Sequence, residues 1–477
     1  MKTFYWYDLE TFGINTRYDR IAQFAGIRTD EHLNPVGEPD MFYCQPIYDY
    51  LPDPSSCLVT GITPQLCEEK GLPEHKFAAK VHEILSTENT CGVGYNSIRF
   101  DDECVRSLFY RNLYDPYQRE YLNGNSRWDL IDIVRATYAL RPENIKWPMH
   151  EPGKPSFKLE ELAKANGLIH EAAHDALSDV EATIQMAKLI QNNQPRLFDF
   201  ALKLRSKDSV RSLLNWQLLQ PIVHVSNKIP AERGCLALML PLAQHPTNKN
   251  GIICYDLHYD PSDLLNLSIA DIQDRLYTPQ ADLPEGVERV HLKTIHLNKA
   301  PFVSPISVLK GVDLERIGLD YDQCQKNLLQ IKDQTVGIDK KVAEVFNQPF
   351  NNTTDDVDEM IYAGFFSFKE RARLESIRQL SADQIPWDIS ASPGDDFDDT
   401  RAATLIQRYK ARNFPEALNE EQQNQWRQDT FNRLEQRFGE DYNTWFEHLN
   451  MLREQADTKR EQEILDQVEQ FVLDKTV

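Results

Sequence analysis

Hydrophobic and polar positions change their period several times along this chain. Short apolar or aromatic runs at residues 3–8, 21–29 and 41–45 are bounded by Asp, Asn or Pro, which predicts the strands of a meander. Residues 91–96 read as a buried strand. Helical spacing at Cys104, Leu108 and Phe109, across residues 128–140 and across 157–166 predicts three helices, the third ending at Gly167 as a C-terminal cap glycine would end it. A further helix over 176–190 aligns Ala176, Val180, Ile184 and Ala187 on one stripe. Strands followed by alternating helices predict an α/β layer fold.

Beyond Pro195 the pattern shifts. After a helix expected at 198–213, short β-like runs at 221–225, 235–242, 251–257 and 290–297 are broken by Pro, Asn and Asp, predicting a second region rich in antiparallel strands. Helical spacing resumes near Leu319 and continues to the end, interrupted by polar segments at 347–358 and 390–400. The charged, glutamine-rich stretch 418–477 reads as helices with a solvated face.

A chain of 477 residues exceeds one compact core, so two to four domains are expected. With 41% hydrophobic and 26% charged residues it reads as a globular protein, and no apolar run approaches the roughly 18 residues that span a bilayer. Met1-Lys2-Thr3-Phe4 leads straight into a strand pattern with no signal region, so the expected location is the cytoplasm. The eight cysteines lack a close CxxC pair and read as buried, reduced thiols rather than a disulfide frame or zinc site. A formal charge of −22 argues against a general nucleic-acid-binding surface, unless basic groups are segregated into a groove.

Three acidic sites carry the candidate chemistry. Asp8 and Glu10 lie two apart on the first strand and so share one of its faces, where two carboxylates repel unless a hard cation sits between them. Alone, such a pair is as compatible with a solvated strand end, and Asp179-Val180-Glu181 repeats the spacing by chance. The pair has company in Phe100-Asp101-Asp102-Glu103, after the next strong strand, and in His174 to Asp179, at the start of a predicted helix. Asp179 sits about one turn into that helix, whereas His174 falls in the entry loop, where its imidazole can act as a general base near neutral pH or simply lie at the surface. Between Asp101 and Asp179, Arg106, Arg111, Tyr114, Tyr117, Arg119, Tyr121, Arg127, Trp128 and Arg135 interleave guanidinium and aromatic groups suited to phosphates and unpaired bases, with Trp128 expected in the core.

These segments, in this order, resemble the three exonuclease motifs of the DEDD superfamily in its histidine-bearing branch. DLETFG at 8–13, RIAQF at 20–24, GITP at 61–64, GYNSIRFDDE at 94–103, YDPY at 114–117, the long NSRWDLIDIVRATYALRPE at 125–143, PSFKLE at 155–160 and RYKARNFP at 408–415 resemble the bacterial exonuclease I family nearly end to end. The resemblance implies a ribonuclease H-like exonuclease domain over 1–192, an SH3-like β-rich domain over 193–346 and a helical C-terminal domain over 347–477. It implies a processive 3′→5′ exonuclease on single-stranded DNA, releasing deoxynucleoside 5′-monophosphates by two-metal-ion hydrolysis in DNA repair and recombination. Asp8, Glu10, Asp101, His174 and Asp179 are the implied catalytic set. Asp8, Glu10 and Asp179 are the metal ligands for two Mg2+ ions, with Mn2+ as the alternative. Asp101 is chosen over Asp102 because it directly follows Phe100, Asp102 being suited to the start of a helix.

The implied DNA contacts are Glu10, Arg106, Tyr117, Tyr121, Arg135 and Lys158. Arg141, Lys310 and Lys332 match basic positions that dock the C-terminal tail of the single-stranded DNA-binding protein. Tyr121 replaces a tryptophan and Lys158 an arginine, Leu9 stands where tyrosine is usual, and Lys310 and Lys332 weaken bidentate carboxylate recognition. No membrane contact is expected, and a monomer is implied. Two competing readings are a ribonuclease of the same superfamily, whose chains are far shorter, and a catalytically silent adaptor, which would have lost a carboxylate or the histidine.

Overall fold

The computed structural model describes residues 2–151, 153–168, 175–348, 354–389 and 397–475. The chain divides into two units: 1–126 with 171–181 and 351–477, and 127–170 with 182–350.

In the first unit, strands β1 (Thr3–Thr11), β2 (Ile21–Thr29), β3 (Asp40–Cys44), β4 (Gly71–Leu72) and β5 (Thr90–Gly94) lie in the order β4-β3-β2-β1-β5. β1 pairs antiparallel with β2, setting Asp8 opposite Ala25 and Glu10 opposite Gln23, and parallel with β5 only as far as Trp6 opposite Val93. It therefore projects beyond the end of β5. Gly94 allows this, since a Cβ there would lie 2.9 Å from the Tyr7 carbonyl oxygen and 2.6 Å from the Ser97 Cβ. Tyr5, Tyr7 and Leu9 pack on the other side of β1 from Asp8 and Glu10, in a core with Phe24, Phe77, Val81, Val105 and Phe109.

Three helices between β3 and β5 are absent from the sequence expectation: α1 (Pro54–Thr60), α2 (Pro64–Lys70) and α3 (Glu74–Ser86). The first two are only seven residues long, too short to display a full apolar stripe. Their ends are nonetheless written locally. Asp53 and Thr63 accept hydrogen bonds from the Ser55 and Leu66 amides, each just ahead of a proline in the first turn. α4 (Asp101–Arg111) follows β5, and Asp101, Asp102 and Glu103 fill its first turn.

The C-terminal helices of this unit complete the core of its first seventy residues. Phe12, Tyr18, Ile47, Tyr50, Cys57, Ile62 and Cys67 share one cluster with Leu434, Trp445, Leu449, Leu465, Val468 and Phe471. Beside it, Asp49 accepts from Arg412 Nη2 at 2.6 Å and Arg433 Nη2 at 3.1 Å, while Asp358 pairs with Arg412, Arg408 and, at 3.9 Å, Arg20. Burial alone would push these two carboxyls up, but Arg412, with Arg433 beside Asp49 and Arg408 beside Asp358, holds both below the ordinary range. The folded state thus binds these protons more weakly than the unfolded chain does. The stabilisation is full above the unfolded value and lost as pH falls, so thermal stability should drop steeply below about pH 4, and Asp49→Asn should flatten that drop. Melting curves from pH 3 to pH 6 check this.

The second unit carries a five-stranded antiparallel sheet in the order Leu292–His296, Gly251–Asp256, Leu236–Gln244, Ile222–Val225 and Phe302–Pro305. Two short helices, Ser262–Asn266 and the amphipathic Ile269–Tyr277, interrupt the region read as strands, the second capped by Ser268. The single helix expected at 198–213 is two, Pro195–Lys203 and Lys207–Leu213, because a turn at Leu204 and Ser206 separates them. Trp128, expected at a helix start, lies in the strand Ser126–Asp129; its ring is fully buried against Phe198, and Nε1 donates to the Ala201 carbonyl at 3.2 Å. The following helix begins at Leu130, capped by Asp129. The helix expected at 157–166 spans Leu159–Asn166, and Gly167 ends it in the left-handed conformation at φ 65°. Among the described residues no helix is long and apolar enough to cross a membrane.

Candidate metal centre

Alternation along β1 points Asp8 and Glu10 the same way, and the helix Ala176–Asn193 brings Asp179 to them in its first turn. One carboxylate oxygen from each of Asp8, Glu10 and Asp179 lies within 4.8 Å of the others, Glu10 being buried and the other two half-buried. Burial, followed by Asp101 and Asp179, pushes the Asp8 carboxyl well above its usual range. Glu10 is pushed up to about 9 by burial and then by Asp8, Asp179 and Asp175. Like charges crowded into a partly dry site are a standing cost that a cation relieves. The donors are all hard oxygens, which fits a divalent ion of the Mg2+, Mn2+ or Ca2+ kind.

Asp101 stands at the start of α4 and accepts from the Leu9 amide at 3.1 Å, one residue from Asp8. Its neighbour Asp102 turns to other partners, accepting from the Tyr7 hydroxyl and, at 2.5 Å, from Arg119 Nη2. His174 lies outside the described residues; the helix after it begins at Ala176. A divalent ion bound by these carboxylates and absent from the unfolded chain should raise the melting temperature, by about 2.7 kcal/mol of stability at a concentration one hundred times its Kd. Titrating MnCl2 into metal-free protein in a thermal-shift assay measures it, and Asp179→Ala should remove most of the gain.

Arg106 is buried, its Nε and Nη2 donating to Glu120 at 2.7 and 2.9 Å and its Nη1 to Glu103 at 2.8 Å, while its guanidinium carbon sits 5.0 Å from the Tyr117 ring. Tyr117 also meets Phe365 edge-on at 5.4 Å, and Tyr121 is 58% exposed. Arg135 pairs with Asp132 at 2.7 Å and borders a cavity of about 380 Å³ with Phe157, Lys228 and Cys235. Lys158 is exposed, 3.8 Å from Glu161. Arg141 Nη2 donates to the Val308 carbonyl at 3.2 Å and to the Lys310 carbonyl at 3.5 Å, whereas Lys332 lies on the helix Tyr321–Asp333 with its side chain exposed.

Two arginines of the interleaved stretch are core ion pairs rather than surface groups. Arg111 pairs with Glu74 at 3.2 Å, and Arg119 with Asp102, all four side chains being no more than 4% exposed. Conversely, sequence reading passed over Tyr362 and Phe365, which join Arg106 and Tyr117. Phe365 and Phe368 are each about four-fifths exposed, and a Phe-Phe-Ser-Phe run followed by Lys369, Arg371 and Arg373 was the available signal.

Comparison with known proteins bears on all three regions. Residues 5–187 match an exonuclease family profile, residues 205–348 the exonuclease I SH3-like domain, and residues 355–475 the exonuclease I C-terminal domain. Exodeoxyribonuclease I of Haemophilus influenzae is 45% identical over 91% of this chain and 91% of its own. The chain belongs to the exodeoxyribonuclease I family. A moderately thermophilic exonuclease I from Methylocaldum szegediense superposes with a TM-score of 0.93 at 44% identity, covering 100% of both chains. The zinc-bound form of the E. coli exonuclease I complex with single-stranded DNA does so at 0.93 and 41%, also covering 100% of both. The fold is accordingly a ribonuclease H-like exonuclease region, an SH3-like region and a family-specific helical region.

Proposed function

We propose that this family member is a processive 3′→5′ exonuclease that degrades single-stranded DNA to deoxynucleoside 5′-monophosphates, serving DNA repair and recombination as a cytoplasmic monomer. The observation that carries the reading is the meeting of Asp8, Glu10 and Asp179, with Asp101 held one residue from Asp8, in a chain so similar to exodeoxyribonuclease I. Asp8, Glu10, Asp101 and Asp179 suit two Mg2+ ions, or Mn2+ in their place. Bound there, such ions supply Lewis-acid neutralisation of charge on the scissile phosphate and on the departing 3′ oxygen.

The protein's own groups do the rest. Asp8 and Asp179 fix the donor geometry, Glu10 also faces the terminal nucleotide, and Asp101 completes the acidic set. His174 takes the proton from the attacking water as a new P–O bond forms and the P–O3′ bond breaks, and the departing 3′ oxygen takes a proton from solvent water, leaving a 3′ hydroxyl on the shortened strand. Tyr117 and Tyr121 offer faces for unpaired bases, while Arg135 and Lys158 counter phosphates. Arg106 does so by exchanging Glu120 for a phosphate oxygen. Arg141, Lys310 and Lys332 receive the acidic, hydrophobic tail of the single-stranded DNA-binding protein.

Digestion of 3′-labelled and 5′-labelled oligonucleotides, with and without EDTA, tests the reading. Wild type should release labelled mononucleotide from the 3′-labelled DNA at once and shorten the 5′-labelled DNA stepwise. EDTA and Asp179→Ala should stop both. Release from the 5′ end, or faster decay of RNA than DNA, would overturn the assignment.

A further inference from the structure

Directly beneath the acidic face of β1 lies a buried polar cluster that the proposed chemistry does not use. Tyr7, Asp102 and Arg119 are 2%, 2% and 4% exposed. Asp102 Oδ1 accepts from the Tyr7 hydroxyl and from Arg119 Nη2, and Arg119 Nη2 also lies 3.3 Å from the Tyr7 hydroxyl oxygen. The Tyr7 ring is itself held, stacked on Phe24 at 5.8 Å and 14°. Gly92 of β5 lies against the cluster, where a Cβ would sit in ordinary van der Waals contact, 3.4 Å from Arg119 Nη1 and 3.6 Å from the Tyr7 ring.

The cluster's place in the chain gives it meaning. Tyr7 immediately precedes Asp8, and Asp102 immediately follows Asp101. Where β1 runs beyond its pairing with β5, the Leu9 amide bonds Asp101 directly. The N-terminus of α4 is thus fastened to β1 twice, once through Asp101 itself and once through the residue beside it. Crowded carboxylates tend to push apart, so their spacing must be imposed by neighbours that cannot yield, and a buried phenol–carboxylate–guanidinium group is such a neighbour.

We propose that Tyr7, Asp102 and Arg119 are positioning residues that hold Asp101 at its distance from Asp8 and thereby set the affinity of the acidic site for its divalent ion. This separates the roles of two adjacent aspartates: Asp101 faces the site, and Asp102 anchors it. The inference rests on the reading of Asp8, Glu10, Asp101 and Asp179 as the metal site.

Tyr7→Phe removes one hydroxyl and keeps the ring, and Asp102→Asn keeps the shape and removes the charge. In thermal-shift titrations of the DNA-free protein with MnCl2, each variant should need roughly 10–100-fold more Mn2+ for half its maximal stabilisation. At saturating Mn2+ kcat should recover most of its wild-type value, whereas at low Mn2+ it should fall by about the same 10–100-fold factor with KM for single-stranded DNA little changed. If Asp102→Asn does not fold, Tyr7→Phe alone decides. Lower melting temperatures with an unchanged Mn2+ midpoint would make the cluster merely structural and overturn the inference. Absence of Mn2+ stabilisation in wild type would instead overturn the metal-site reading beneath it, and the inference with it.

Discussion

Asp8→Asn is expected to reduce hydrolysis of single-stranded DNA by roughly 10³-fold or more while making the metal-free protein more heat-stable. Loss of activity follows if Asp8 is a ligand, since an ion in such a site contributes several kcal/mol to the transition state and each ~1.4 kcal/mol is a factor of ten. The gain in stability follows from geometry: Asp8 is crowded by Asp101 and Asp179, and Glu10 is pushed up to about 9 by burial and its acidic neighbours. An amide keeps the shape and removes the repulsion. A relief of about 1 kcal/mol would raise the melting temperature by a few degrees. In saturating Mn2+ the order should reverse, wild type melting higher, because only wild type retains the full donor set. A variant that is inactive and equally or less stable without metal would show that the carboxylates are not under mutual strain.

The second large effect concerns Arg412, whose side chain is 1% exposed between Asp49 and Asp358. Arg412→Ala leaves two buried carboxylates short of their principal counter-charge, a change that typically costs about 3–5 kcal/mol. Circular-dichroism melting should show a drop well beyond the roughly 1 kcal/mol of an average substitution. Adding Asp49→Asn to Arg412→Ala should recover part of the loss, since one of the stranded charges is then gone. If the double variant is as unstable as the sum of the singles, the pair is not coupled as its geometry requires.

Much of the first unit was legible because its strands are strongly patterned: β2 falls where the apolar run 21–29 placed it, and β1 continues three residues past the predicted end, through Glu10. Period-two alternation is enough to set Asp8 and Glu10 on one face. That Asp179 meets them is a tertiary fact, carried in the sequence only through likeness to a family. Short helices were missed because two turns bury too few positions to show a stripe, although Asp53-Pro54 and Thr63-Pro64 announced them. Arg111 and Arg119 belong to a stretch that looks suited to phosphates and bases because charge in a sequence looks like surface; their partners, Glu74 and Asp102, are 37 and 17 positions away. Buried ion pairs of that kind leave no periodic trace.

The joint core between the first seventy residues and the final helices also governs how the protein comes into being. Phe12, Tyr18, Ile47 and Ile62 emerge from the ribosome early, yet the groups that cover them, Leu434 to Phe471, follow only after hundreds of further residues. At ~5–20 residues per second the wait is tens of seconds, during which an oily surface beside the strand that bears Asp8 and Glu10 has no native cover. Synthesis therefore times maturation: a nascent chain already carrying the whole acidic set is still an unfinished fold, and prematurely terminated products should be substrates for chaperones and proteases before they can become stray nucleases.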